Sequence, residues 1–115
     1  MVNIIHLFSI ILAGISVGIA DALIKKSAIA GSFWSAVKSP LMIAILALYI
    51  AQILFFIYVF KNNWNLGIVG NLQIVFYSFT IIVSGLLFFG ETISLVQGIG
   101  IGLAIIGVVL MNLPF

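Results

Sequence analysis

Apolar residues fill this chain in four long stretches, at about residues 4–24, 40–60, 66–89 and 94–113, with short polar breaks between them. At 1.5 Å of rise per residue, a helix of about twenty residues crosses a hydrocarbon core of roughly 30 Å. The first stretch ends at Lys25 and Lys26, whose long side chains can carry their ammonium groups into the headgroup layer. Residues 27–39 read as a small-residue connection with Trp34 as an interfacial anchor, and Ser39-Pro40 as N-cap and first residue of the second helix. Lys61-Asn62-Asn63-Trp64-Asn65 forms a tight polar loop with a second tryptophan anchor. Gly90 to Ile93 make the last turn, Ser94 and Gln97 have capping-box spacing, and Pro114 stops the fourth helix. Connections this short make consecutive helices antiparallel neighbours. The expectation is an all-α membrane protein: one domain over residues 1–115, an up-down-up-down bundle of four transmembrane helices. A signal peptide is the alternative for the first stretch, since Ala20-Asp21-Ala22 mimics a cleavage site. It is disfavoured by the missing basic n-region, the length of the run and the three stretches that follow.

Composition sharpens this picture. Hydrophobic residues make up 65% of the chain and charged ones 5%, with a mean hydropathy of +1.48, too few charges to coat a soluble domain. Without cysteine there is no disulfide, thiolate metal site or cysteine nucleophile. A net charge of +2 is too small and too scattered for a nucleic-acid surface. One histidine, two acids and no glycine-rich phosphate loop predict no catalytic residue, metal centre or cofactor, and hence no enzyme. Lys25, Lys26 and Lys38 lie on one side and Lys61 on the other, which favours both termini outside. Asp21 and Glu91 partly offset that bias, so a mixed orientation, as an antiparallel dimer requires, is compatible with the sequence.

Helical spacing gathers the polar residues into stripes. Gly70, Gln73, Tyr77, Thr80 and Ser84 share a face of the third span, Tyr49, Gln52 and Phe56 a face of the second, and Gly14, Gly18, Asp21 and Lys25 a face of the first. Polar groups at membrane depth are costly unless they meet a partner or water. Two readings follow: a polar, aromatic-walled cavity, or interhelical hydrogen bonds of about 1 kcal/mol each that glue the bundle. The candidates for a solute path are Gly18, Asp21, Tyr49, Gln52, Gly70, Asn71, Gln73 and Tyr77. Asp21 is either a proton- or cation-binding group or the i+4 partner of Lys25. Glu91, just before a helix N-terminus, suits a structural role in the field of the macrodipole. His6 reads as a bland interfacial residue. Four helices alone cannot enclose a large solute, so a cavity favours a dimer.

The fourth span carries Gly98 and Gly102 as a GxxxG pair, Gly100 and Ala104 as a second small pair, and Gly107 further along. Such faces bring helix backbones together in lipid, within one chain or between two. Phe88-Phe89-Gly90-Glu91, then a glycine-rich helix ending Gly-Leu-Ala-Ile-Ile-Gly-Val-Val-Leu-Met-Asn, resembles the end of a drug/metabolite transporter superfamily unit. That superfamily includes the four-helix small multidrug resistance proteins and the EamA-like transporters. The resemblance is strongest over residues 84–112. It implies a multi-pass transporter of the plasma membrane, moving a small or amphipathic solute by alternating access with possible proton coupling. It also implies a homodimer, or pairing with a second four-span chain as half of a lipid-linked-sugar flippase. The small multidrug resistance proteins carry an essential glutamate in the first helix. Aligning their helix end with Leu23-Ile24-Lys25 puts that slot at Val17, one turn before Asp21. Their third-helix aromatic motif falls here on Gly70 and Gln73. These departures point toward EamA-like or flippase-like members. From a different class, a non-transporting membrane assembly subunit fits the same composition.

Overall fold

A computed structural model describes residues 4–111 and 113 of the chain. Its helices are α1 (Ile4–Ile29), α2 (Phe33–Val37), α3 (Leu41–Lys61), α4 (Leu66–Phe88) and α5 (Leu95–Met111). Helices α1, α3 and α4 are each long and apolar enough to cross a membrane, while α5 is a shorter apolar helix of 17 residues. At 1.5 Å per residue α5 spans about 25 Å. The chain is therefore a helical membrane protein. Pro114, expected to end the last helix, lies outside the described residues.

Residues 27–39 are not the open connection expected. Ser27, Ala28 and Ile29 continue α1, because nothing after Lys26 opposes a helix before Gly31. Phe33–Val37 then forms its own short helix, capped by Ser32, whose Oγ accepts the Ser35 amide at 3.2 Å. Helix α3 begins at Leu41, so Pro40 stands at its N-cap rather than as its first residue and Ser39 lies one position before it; α4 starts after Asn65 with no side-chain cap bond. Ser39 Oγ accepts the Leu41 amide at 3.2 Å ahead of α3. At α5 the capping box closes in both directions: Gln97 N–H donates to Ser94 Oγ at 3.1 Å, and Ser94 N–H donates to Gln97 Oε1 at 2.9 Å.

The long helices alternate in direction, but their neighbours are not those that chain order predicts. Helix α1 packs along both α3 and α4; α3 and α4, joined by a tight turn, stay apart for most of their length because α1 lies between them. They meet only near that turn, where Ile10 of α1, Val59 of α3 and Val69 of α4 form a fully buried cluster ringed by Phe56, Phe60, Trp64 and Leu72. Side-chain size explains the central place of α1. Apart from Ile10 its buried residues are Ser9, Ala13, Gly14, Gly18, Ala20 and Ser27, all small, so two helices can approach it from different sides. A Cβ at Gly14 would lie 2.8 Å from the Gln73 carbonyl oxygen, and one at Gly18 would lie 2.6 Å from Thr80 Cβ. Contact this close is possible only without side chains. The tight helix crossing thus uses the Gly14/Gly18 pair of α1. The glycines of α5 take no part in it: around Gly98, Gly100, Gly102 and Gly107 nothing lies within 4 Å of an added Cβ, and α5 buries no residue. The resulting array is flattened, 49 × 37 × 18 Å.

Candidate functional site

Asp21 lies on α1 about three turns beyond Ile10, where α3 and α4 have diverged. The Tyr49 hydroxyl of α3 donates to its Oδ1, and the Tyr77 hydroxyl of α4 donates to Oδ2 at 2.5 Å. One carboxylate thereby ties three helices together. The arrangement follows from helical period: Asp21 shares a face with Gly14 and Gly18, the face α4 presses against, and Tyr77 sits on α4 next to that crossing. Charge-assisted bonds of this kind hold a carboxylate where lipid and apolar side chains would otherwise leave it without partners.

Beside Asp21 opens a cleft of about 410 Å³ between α1, α4 and the start of α5. Its polar wall includes Asp21, Tyr77, Ser84, Lys25, Glu91 and Gln97, and its apolar wall includes Ile81, Phe89 and Ile101. Lys25 forms an ion pair with Glu91 from the α4–α5 linker, and its ammonium lies 4.9 Å from the centre of the Phe89 ring. The linker is folded back to allow this. Gly90 adopts a left-handed φ of +64°, and the amides of Phe89 and Glu91 both donate to the Gly85 carbonyl, at 3.2 and 3.0 Å. A second, more apolar cleft of about 610 Å³ runs between α4 and α5 over Asn71, Phe79, Gly100, Ala104, Gly107 and Met111.

Three of the residues singled out from the polar stripes, Asp21, Tyr49 and Tyr77, come together in one hydrogen-bonded group. The others disperse. Gly18 is a contact point with Thr80 rather than a cavity wall, and Gln73 offers its carbonyl beneath Gly14. Gln52 is half-buried on α3, and Gly70 faces open space. Asn71 donates to the Gly67 carbonyl of its own helix at 2.7 Å and borders the second cleft, as does Gly107. Thr80 likewise donates to Phe76 O, at 2.8 Å, so these groups answer their desolvation within one helix. Asp21 does not pair with Lys25, whose ion pair is with Glu91, 66 positions away.

At the opposite end, Trp64 Nε1–H donates to His6 Nδ1 at 2.9 Å, and the His6 ring meets Tyr58 and Trp64 edge-on. The two residues read separately as interfacial are thus one contact. No signal in the sequence paired them, since they lie 58 positions apart. Among the described residues no three His, Cys, Asp or Glu side chains cluster as a metal site would need.

No family model matches the chain, and no curated protein or solved structure matches it.

Proposed function

We propose that this chain is an integral membrane transporter of the drug/metabolite type, with Asp21 as the group that binds the solute or a coupled proton. The observation that carries the reading is the Asp21 carboxylate, held by tyrosyl hydroxyls from two other helices at the side of a cleft. A carboxylate at membrane depth is costly to keep, and such groups mark solute and proton paths. Its tyrosine bonds can open and re-form without breaking a helix. A cationic group entering the cleft would meet the carboxylate, an aromatic ring and the linker bearing Glu91. In this reading α5 serves as the fourth span, in the plasma membrane. Its unoccupied Gly98/Gly102 face joins a second copy, in antiparallel or parallel arrangement, or a second four-span chain. A lipid-linked sugar is the alternative cargo for such a pair.

The test is proton release from purified, folded protein on adding cationic and guanidinium-like solutes, with Asp21→Asn alongside. Saturable release that is lost in the variant supports proton-coupled exchange at Asp21. Equal release in both would remove Asp21 from the mechanism. A second reading, a non-transporting assembly subunit, draws on α5, which buries nothing within the chain. It predicts poor stability of the chain expressed alone, and solute flux indifferent to Asp21.

A further inference from the structure

Both carboxylate side chains of the sequence, Asp21 and Glu91, line the same cleft, and Lys25 lines it with them. Lys25 follows Asp21 by four positions on α1, the order and spacing at which an acid and a lysine meet on a helix surface. In the structure it does not use that option. Asp21 is taken by two tyrosines, and Lys25 rests on Glu91 and over the Phe89 ring.

The Glu91 end looks made for this. The left-handed Gly90 and the Glu91 amide bond to Gly85 O bring the carboxylate back over α4. Gly85 leaves the room: a Cβ there would fall 2.2 Å from Glu91 Oε1. Both partners of the ion pair remain about half exposed, so the pair is weak and exchangeable.

We propose that Lys25 is a tethered internal cation shared by the two acids of the cleft, parked on Glu91 while Asp21 is engaged and moving one helical turn to Asp21 when that carboxylate is released. This rests on the reading of Asp21 as the solute-binding group and assigns the residue that competes with the solute. A cation binding at Asp21 must keep Lys25 away, and Glu91 lowers the cost of doing so by holding it. Lys25 thereby sets how tightly a cation is bound, and after release Asp21, the less exposed end of the cleft, regains a cation while the exposed Glu91 is left to solvent.

Simple electrostatics would also let Lys25 and Glu91 influence a nearby cation, one repelling and one attracting it. The two accounts separate in a double-mutant cycle. The probe is tetrapropylammonium, a monocation without hydrogen-bond donors, titrated calorimetrically into full-length protein in detergent. Lys25→Met should tighten its Kd by about fivefold and Glu91→Gln weaken it by about threefold, as expected for an exposed pair. The deciding value is the Glu91→Gln effect in the Lys25→Met background. With no lysine to park, it should vanish. Gly85→Ala, which displaces the Glu91 carboxylate without removing its charge, should weaken binding as Glu91→Gln does, and only while Lys25 is present.

Additive effects in the cycle would overturn the tethered-cation role while leaving Asp21 as the binding group. Binding that survives Asp21→Asn unchanged would overturn the solute-site reading, as would no binding by any folded variant, and this inference would fall with it. Circular dichroism and size-exclusion profiles establish folding for each variant, and Lys25→Gln repeats the Lys25→Met arm with a polar side chain.

Discussion

Near its start α1 is clasped by apolar residues; about three turns later, by polar ones. Around Ile10, α3 and α4 close in with Val59 and Val69, and Trp64 reaches over to His6. Around Asp21 the same two helices have spread, each sends in a tyrosine hydroxyl, and a cleft opens between α1, α4 and α5. Both acids of the chain lie at the second end and none at the first. Dispersion between well-fitted apolar groups weakens steeply with any gap, so the Ile10 end has one good arrangement. Hydrogen bonds to a carboxylate can be exchanged for others, so the Asp21 end is the one able to rearrange. One end can serve as a pivot and the other as the part that changes.

The two ends of α1 depend most on the glycine crossing that lies between them. Gly18→Leu would drive a side chain into Thr80 and should cost about 3 kcal/mol or more, read as a large fall in the thermal unfolding midpoint in detergent. Gly98→Leu with Gly102→Leu, in open space, should leave that midpoint nearly unchanged and alter only the oligomer in lipid. An unchanged oligomer would mean α5 does not join a second copy. At the open end, Tyr49→Phe and Tyr77→Phe should each cost about 1 kcal/mol, and a double-mutant cycle should show coupling through Asp21. If Asp21→Asn abolished the effect of neither, the tyrosines would be acting elsewhere. At the closed end, His6→Phe keeps an aromatic ring but removes the acceptor for Trp64 Nε1–H. It should cost about 1 kcal/mol, and a Trp34→Phe background isolates the Trp64 emission that reports it. Among the polar contacts the smallest effect on stability belongs to Lys25→Met, under about 1 kcal/mol for a half-exposed ion pair.

Features set by neighbours along the chain could be read in advance. The three long helices, the Ser94/Gln97 box and the Ser39 bond to the Leu41 amide are written in apolar runs and in residues two or three positions apart. Asp21, Tyr49 and Tyr77 were legible as well, because helical period fixes which residues share a side. Contacts between helices were harder. Lys25 had two acids within its possible reach, and the nearer in sequence was not the one it found, because the tyrosines had taken it. The glycine pair of α5 and that of α1 look alike as text. They differ in what faces them, and that depends on the order of helices around α1, which no single stretch encodes. Similarly, Gln52, Asn71 and Gln73 are polar residues on plausible faces, but a stripe does not say whether a side chain meets another helix or its own backbone.

The central place of α1 has a consequence for biosynthesis. Since this helix precedes both of the helices that embrace it, its glycine face and its aspartate enter the bilayer before Tyr49 or Tyr77 exists to receive them. Tyr77 arrives 56 positions after Asp21. During that interval the carboxyl must be tolerated by water, lipid headgroups or an insertion factor, so the vulnerable moment for this protein comes during synthesis. Variants that lack either tyrosine should therefore lose yield out of proportion to their loss of stability.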